Sequence, residues 1–231
     1  MKYLVFIVIA VVFLCNCEKN DQHGTEFTDS RDGRVYKYSK IGSQIWMTEN
    51  LAYLPAVSNP DDGSEAFPHY YVYDYMNTSV EEAKTTVNYQ THGVLYNWSA
   101  ASKACPDGWH LPSDEEWMIL EQHLGMSSSD AMARELRNSG QVGKKLKSNG
   151  DWYSNGSGTN KSGLDMHPGG KRDPEIDGSI FVMLGSYSFY WTATPHGVPI
   201  AWYRGLNFNS DGVVRSDENY SYGFSVRCVK D

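Results

Sequence analysis

The most informative part of this chain is CPDGWHLPSDEEW, which runs from Cys105 to Trp117. It joins a tight turn, a short extended segment rich in aromatic residues and the start of a helix. Ser113 and Glu116 have the spacing of a capping box, in which each side chain accepts a hydrogen bond from the other residue's backbone amide. We therefore expect a helix from Ser113 to Gly125 that buries one apolar face, formed by Trp117, Leu120 and Leu124.

The stretch also begins with one of the two cysteines that lie outside the N-terminal leader. The other is Cys228, near the C-terminus. Two cysteines in an exported chain most economically pair with each other, so we expect a disulfide between Cys105 and Cys228. The alternative is a pair of free, buried thiols.

The N-terminus has the pattern of a secretory signal peptide, with Met1-Lys2 followed by an apolar run from Tyr3 to Leu14. This run is too short to cross a bilayer core of about 30 Å as a helix. It leads into Cys17, which resembles the lipidated cysteine of a bacterial lipoprotein because Leu14 stands three positions before it. Asn16 departs from that motif, where Gly, Ala or Ser is usual.

We expect a lipoprotein signal peptide over residues 1–16, lipidation of Cys17 and a lipid-anchored location in the cell envelope, at the outer membrane. The alternative is a soluble secreted protein that is cut nearby. Residues 17–30 are poor in apolar side chains and indicate a flexible tether.

The remaining residues, 31–231, suffice for one domain with a sizeable core. The segment 54–90 is rich in Pro, Asp, Gly and Ser and is interpreted as a variable insertion. The net charge is −8 and no basic cluster occurs, which argues against nucleic acid as a partner. The 21 glycines, 7 tryptophans and 16 tyrosines favour a loop-rich α+β fold over a helical bundle.

Local patterns predict the main elements. Residues 33–47 are typical of a hairpin, and strand patterns recur in the last third of the chain, with a hairpin turned at Asn209–Gly212. Short helices are predicted around 79–84, within 94–104 and at 142–147. A further helix is predicted over 129–138, with Met132 and Leu136 facing inward.

Ordered motifs occur along the chain: Asp32-Gly33-Arg34-Val35-Tyr36, Trp46-Met47, Glu49-Asn50-Leu51, Leu95-Tyr96-Asn97-Trp98, Cys105-Pro106, Gly108-Trp109-His110-Leu111-Pro112, Trp152, Thr159-Asn160, Ser162-Gly163, Pro168-Gly169-Gly170, Arg172, Tyr190-Trp191-Thr192-Ala193-Thr194 and Ser225-Val226-Arg227-Cys228-Val229. Together they resemble the Fibrobacter succinogenes major paralogous domain family of exported proteins. The resemblance implies a compact α+β domain related to the C-type-lectin and sulfatase-modifying (formylglycine-generating) fold, with twisted antiparallel strands, one or two main helices and long ordered loops. It implies no reaction.

The chemistry of the wider fold does not carry over. Formylglycine-generating enzymes need a reactive cysteine pair near the C-terminus, and residues 217–222 contain no cysteine. The calcium motif of sugar-binding lectins is also missing, the scattered histidines form no zinc motif, and no cofactor is expected. One weak calcium pattern consists of Asn207, Asn209, Asp211 and Glu218, although a tight hairpin uses the same residue types and is the favoured interpretation.

Aromatic residues interleaved with polar ones are the remaining signal, since rings offer apolar faces while polar groups fix the orientation of a ligand. The candidate ligand-binding residues are Trp152, Tyr153, Trp202, Tyr203, Arg204, Tyr220 and Tyr222. The competing interpretation is that most of these rings belong to the core.

We expect a non-catalytic binding or adhesion module for a glycan or an envelope protein, anchored to the membrane by its N-terminal lipid. One alternative is an envelope enzyme, hydrolase-like, with a carboxylate or histidine site assembled in space. Another is a passive structural lipoprotein.

Overall fold

A computed structural model of the chain describes residues 25–176 and 180–231. The helices are α1 (Val80–Thr85), α2 (Val87–His92), α3 (Trp98–Ala101), α4 (Asp114–His123), α5 (Ser128–Met132) and α6 (Val142–Leu146). The strands are β1 (Thr25–Thr28), β2 (Val35–Ile41), β3 (Gln44–Met47), β4 (Tyr70–Tyr71), β5 (Leu95–Tyr96), β6 (Trp109–His110), β7 (Glu135–Arg137), β8 (Gly169–Arg172), β9 (Phe181–Leu184), β10 (Tyr187–Pro195), β11 (Ile200–Asn207), β12 (Val213–Asn219) and β13 (Val229–Lys230). Short 3-10 turns lie at Ser139–Gln141 and Tyr153–Asn155.

The strands form two main sheets. The first has the order β1-β2-β3-β13-β6, the second has the order β7-β12-β11-β10-β8-β9, and β4 and β5 form a separate pair. Pairing is antiparallel apart from a parallel contact between β10 and β8. Short helices connect these sheets, so the fold is a compact α+β domain, as predicted. The two predicted hairpins are confirmed as β2–β3 and β11–β12.

The C-terminal segment is tied back to the stretch that begins at Cys105. The predicted disulfide is confirmed, with the Cα atoms of Cys105 and Cys228 5.9 Å apart and 123 positions between them in sequence. Closing a loop of that length restricts the unfolded chain by an upper estimate of about 4–5 kcal/mol. After Cys228, Val229–Lys230 forms a short strand that pairs with Trp46 of β3 on one side and with β6 on the other.

Helix α4 begins as its sequence predicts. The Ser113 hydroxyl accepts from the Glu116 amide, and the Glu116 carboxylate accepts from the Ser113 amide, so the capping box is complete. Trp117 packs edge-on against Trp46 at a centroid distance of 4.9 Å, which joins the helix to the first sheet. At 10 residues α4 is the longest helix described, and no helix in the described part of the chain has the length and apolar character needed to cross a membrane.

The predicted helix over 129–138 is wrong in its second half. Helix α5 ends at Met132, and Glu135 adopts a left-handed φ of 62°, which stops a helix from continuing. Residues Glu135–Arg137 instead form β7, and both Met132 and Leu136 are exposed rather than inward. The apolar spacing was misleading because Arg137, not Leu136, is the buried residue of this segment.

A buried ionic network holds α4 against the second sheet. Arg137 donates to both carboxylate oxygens of Glu121, and Arg204 bridges Glu121 and Asp114. Arg215 donates to Asp114 from the rim of the network. Burial alone raises the pKa of Asp114, but the hydrogen bonds and positive charges of Arg215 and Arg204 outweigh it, so that pKa lies below its usual value.

The predicted segments of the chain compare with the structure as follows for the leader, the tether over 17–30 and the insertion over 54–90. The predictions for residues 1–16 and Cys17 lie outside the described residues. The expected tether extends to residue 30, yet Thr25–Thr28 pair with β2, so the folded part begins before residue 31. Within 54–90, buried side chains join the core, including Tyr71, Val72 and Tyr89. This segment is therefore part of the packed domain, and its variability stays a prediction.

Candidate functional site

An open groove of about 690 Å³ lies between the β11–β12 turn, the end of α6 and the loop after Trp152. We call it the Tyr153 groove, after the exposed ring beside it. Its lining is rich in amides and hydroxyls and includes one lysine–aspartate pair: Asn138, Asn155, Asn209, Ser157, Ser210, Lys144 and Asp211. These groups can both donate and accept hydrogen bonds, which suits a hydroxyl-rich ligand.

An exposed tyrosine and a half-buried phenylalanine lie at this groove. Tyr153 is 65% exposed, far more than any other tyrosine or tryptophan singled out in the sequence. Its ring packs edge-on against Phe208, with centroids 5.5 Å apart and planes at 83°. Phe208 lines the groove and also contacts the ring of Tyr187. Phe208 thereby supports the Tyr153 ring on one side, while most of the Tyr153 side chain stays open to solvent.

Close backbone packing fixes the Tyr153 loop. The Tyr153 amide donates to the Gly185 carbonyl at 2.7 Å, and Ser154 and Asn155 both adopt left-handed φ angles. Gly156 packs so tightly that an added Cβ atom would lie 2.2 Å from the carbonyl oxygen of Phe208. The two rings are therefore held together by the main chain as well as by their own contact.

A buried lysine fixes the turn that carries Phe208 at the wall of the groove. Lys147 is 1% exposed, and its Nζ donates to the carbonyls of Asn207 at 3.1 Å and Ser210 at 2.9 Å. The same ammonium lies 5.3 Å from the ring centroid of Trp152. Burial lowers the pKa of Lys147. One side chain thus ties α6 to the β11–β12 turn and to the segment that leads into Tyr153.

The two charged side chains at the open surface of the groove are paired with each other, and the third charge, on Lys147, is buried against carbonyl groups. The Nζ of Lys144 lies 3.5 Å from a carboxylate oxygen of Asp211, and both side chains are exposed. The Lys144 amide also donates to the Asp211 carbonyl, so the two residues are fixed relative to each other. Because the opposite charges lie side by side, the groove favours a neutral polar ligand over a strongly charged one.

A second, smaller cavity of about 260 Å³ is lined by Glu49, Asp165, His167, Arg34 and Asn50, among others. We call it the His167 pocket. Its carboxylates already have partners. Glu49 accepts from the Lys37 amide and lies near Arg34, while Asp165 accepts from Asn160 and contacts His167. Each carboxylate therefore already accepts one hydrogen bond from the protein.

The histidine of this pocket is also engaged. His167 Nδ1 lies 2.6 Å from Asp151, and this hydrogen bond raises the pKa of His167 despite burial. The Ser148 hydroxyl donates to Asp151 rather than to His167. A serine nucleophile needs a histidine beside its hydroxyl, so this chain of groups does not form a catalytic triad.

A comparison with protein-family models finds a match to the Fibrobacter succinogenes major domain over residues 40–230. This match covers most of the chain, every residue that lines the Tyr153 groove and every lining residue of the His167 pocket except Arg34. The chain belongs to the Fibrobacter succinogenes major domain family. No curated protein and no solved structure matches it. The implied relation of this family to the C-type-lectin fold therefore stays an expectation.

In this member of the Fibrobacter succinogenes major domain family, the seven predicted ligand-binding residues do not share one exposed face. Tyr153 is exposed and Tyr203 is half-buried, whereas the others lie in the core: Trp152, Trp202, Arg204, Tyr220 and Tyr222.

The buried members have structural partners. The indole of Trp152 donates to the Ser148 hydroxyl, Arg215 covers the ring of Trp202 at 3.9 Å, and Tyr220 stacks on Trp98 at 4.2 Å. Arg204 belongs to the ionic network under α4. For these residues the competing interpretation matches the structure, because they lie in the core.

The calcium pattern is not assembled. Glu218 pairs with Ala201, at the end of the β11–β12 hairpin opposite to the turn that carries Asn209 and Asp211. Over residues 25–176 and 180–231, no group of three or more His, Cys, Asp or Glu side chains is arranged to hold a metal ion. The favoured hairpin interpretation is confirmed.

Sequence reasoning missed part of the groove, namely Phe208, Asn155, Asn138 and Lys144. A signal for two of them was present, because Ser154-Asn155-Gly156 has turn chemistry directly after Tyr153 and Phe208 precedes the hairpin turn. Asn138 and Lys144 carried no such signal, since they reach the groove only through tertiary packing.

Proposed function

We propose that this domain is a non-catalytic binding module that takes a neutral glycan in the Tyr153 groove. The observation that carries the proposal is the exposed Tyr153 ring, supported by Phe208 beside a groove of amides and hydroxyls. The ring offers an apolar face to a sugar ring, and the amides can pair with its hydroxyl groups.

The proposal includes a location in the cell envelope, with the domain anchored through a lipid on Cys17. The leader pattern supports this, and so does the Cys105–Cys228 disulfide, because disulfides persist in oxidising compartments outside the cytoplasm. A lipid at Cys17 would leave a short segment between the membrane and β1, which begins at Thr25.

A glycan fits the groove better than an envelope protein does. Stable protein interfaces have a largely apolar, desolvated centre, whereas this groove is open and lined mainly by polar side chains. The rival enzymatic function draws on the His167 pocket, where two carboxylates and a histidine meet. Asp165 and both ring nitrogens of His167 are already hydrogen-bonded to protein groups, which favours binding over hydrolysis.

A glycan array with the soluble domain, residues 18–231, tests the proposal. The wild-type protein and Tyr153→Ala are screened side by side, with Phe67→Ala as the matched control, since Phe67 is 73% exposed and does not line the groove. Loss of one stacked ring is expected to weaken binding about tenfold. The control should bind as the wild type does. Absence of any bound glycan, or equal binding by all three proteins, would refute the proposal.

A further inference from the structure

A third cavity, of about 300 Å³, lies at the other side of α6 from the Tyr153 groove. We call it the lysine pocket. It is bounded by the β2–β3 turn at Gly42, the end of α4 at His123, the α6 residue Lys145 and the turn at Lys161–Ser162. Its volume is roughly ten times the share of one water molecule in the liquid, so the cavity has room for a small molecule.

The lining carries positive charge without a counter-charge. Lys40, Lys145 and Lys161 all line the pocket, and neither Asp nor Glu is among the lining residues. Within the described part of the chain, none of these three lysines forms an ion pair with a carboxylate. Other lysines do, since Lys144 pairs with Asp211 and Lys171 with Asp173. Such a cluster is unusual in a chain of net charge −8.

The end of α4 offsets the charge of only one of these lysines. The C-terminal carbonyls of a helix carry partial negative charge, and one of those at the end of α4 binds Lys145. The Gln122 carbonyl accepts from the amides of Leu124 and Gly125, and the Leu124 carbonyl accepts from Lys145 Nζ at 2.6 Å. This last bond also fixes the ammonium of Lys145 at the pocket, with two of its protons left to donate.

The floor of the pocket is tightly packed. Gly42 has a φ of +62°, and a Cβ atom added there would lie 2.9 Å from the Nδ1 atom of His123. The imidazole therefore rests directly on the β2–β3 turn. It adds a polar side chain to the three lysines that line the same cavity.

We propose that the lysine pocket binds a tetrahedral oxyanion, a phosphate or sulfate group carried by a small molecule. Three lysines that line one cavity place like charges near one another, and an anion bound among them would offset their repulsion and accept hydrogen bonds from the ammonium of Lys145 and from any other ammonium that reaches it. The site is separate from the Tyr153 groove and does not depend on glycan binding there.

The test uses the soluble domain and heteronuclear NMR titrations at low ionic strength. The probes are inorganic phosphate, inorganic sulfate, glucose 6-phosphate and, as a neutral control, glucose. We expect saturable shifts of the Gly42, Lys145 and Ser162 amides with the anions and none with glucose. Tighter binding of glucose 6-phosphate than of inorganic phosphate assigns the site to a phosphate ester, and equal binding assigns it to the free ion.

The double variant Lys40→Gln/Lys161→Gln removes two positive charges from the pocket, and Lys84→Gln/Lys103→Gln removes two elsewhere on the surface. We expect about tenfold weaker anion binding for the first variant and less than twofold for the second. Equal thermal melting of both variants excludes a folding defect as the cause. Shifts that do not saturate, or equal weakening in both variants, would overturn the proposal.

Discussion

Replacement of Lys147 by methionine tests how the Tyr153 groove is held together. Methionine keeps the apolar stem but removes the ammonium that donates to the carbonyls of Asn207 and Ser210. Hydrogen bonds from a charged donor contribute about 1.5–3 kcal/mol each. Methionine also removes the free-energy cost of burying a charged ammonium group, which offsets part of that loss. We expect the free energy of unfolding to fall by about 2–3 kcal/mol.

Urea denaturation followed by tryptophan fluorescence measures this change. Lys144→Met is the matched control, because Lys144 lies one turn away in sequence on the same helix but is exposed and forms only a surface ion pair. Its effect should stay below about 0.5 kcal/mol. We also expect the amide resonances of Phe208 and Asn209 to shift in Lys147→Met, since the wall that carries them loses its clamp. Unchanged or increased stability of Lys147→Met, with unmoved groove resonances, would refute the role assigned to this lysine.

Two further predictions concern stability. Replacing both disulfide cysteines, Cys105→Ser with Cys228→Ser, should lower the free energy of unfolding by about 2–5 kcal/mol in urea melts, and an effect under about 1 kcal/mol would contradict the stapled architecture. Burial lowers the pKa of His110, but hydrogen bonds to Asp231 and Glu116 outweigh it and raise that pKa above the ordinary 6.5. The protonated ring therefore stabilises the fold fully below pH about 6.5, and this contribution is lost as the pH rises through the raised folded-state pKa. As the pH rises, the free energy of unfolding of His110→Gln should therefore fall less than that of the wild type. The difference should stay under about 1 kcal/mol, because the ring is partly exposed. Parallel pH profiles of the two proteins would contradict this prediction.

Features set by neighbouring residues could be predicted from the sequence. The capping box at Ser113 and Glu116 uses only groups within one helical turn, and the β11–β12 turn depends on the backbone preferences of Asn, Asp and Gly. The disulfide was predictable because the leader pattern predicts export, and the two cysteines outside that leader then have one economical pairing.

Features set by distant residues could not be predicted. The spacing of Met132 and Leu136 favoured a helix. In the structure Arg137 lies in β7 and forms a buried ion pair with Glu121, a distant residue that the local spacing does not reveal. Strand alternation likewise does not tell which aromatic rings meet the core. The alternation therefore did not distinguish Trp202, whose ring is covered by Arg215, from Tyr153, which is open to solvent.

Close contacts at glycine residues explain why the groove could not be predicted from the sequence. Gly143 approaches the β11–β12 turn so closely that an added Cβ atom would lie 1.9 Å from the Gly212 carbonyl oxygen. This contact places α6, with Lys144, beside Asp211. The sequence shows a glycine at each position, but not which backbone each one packs against.

Chemical-shift mapping with a glycan identified on the array tests most directly whether the ligand lies against Tyr153. We expect the largest amide shifts at Tyr153, Asn155, Phe208 and Asn209, with intermolecular contacts between the sugar protons and the Tyr153 ring. Shifts concentrated instead around Glu49, Asp165 and His167 would place the ligand in the other pocket and contradict the proposed function.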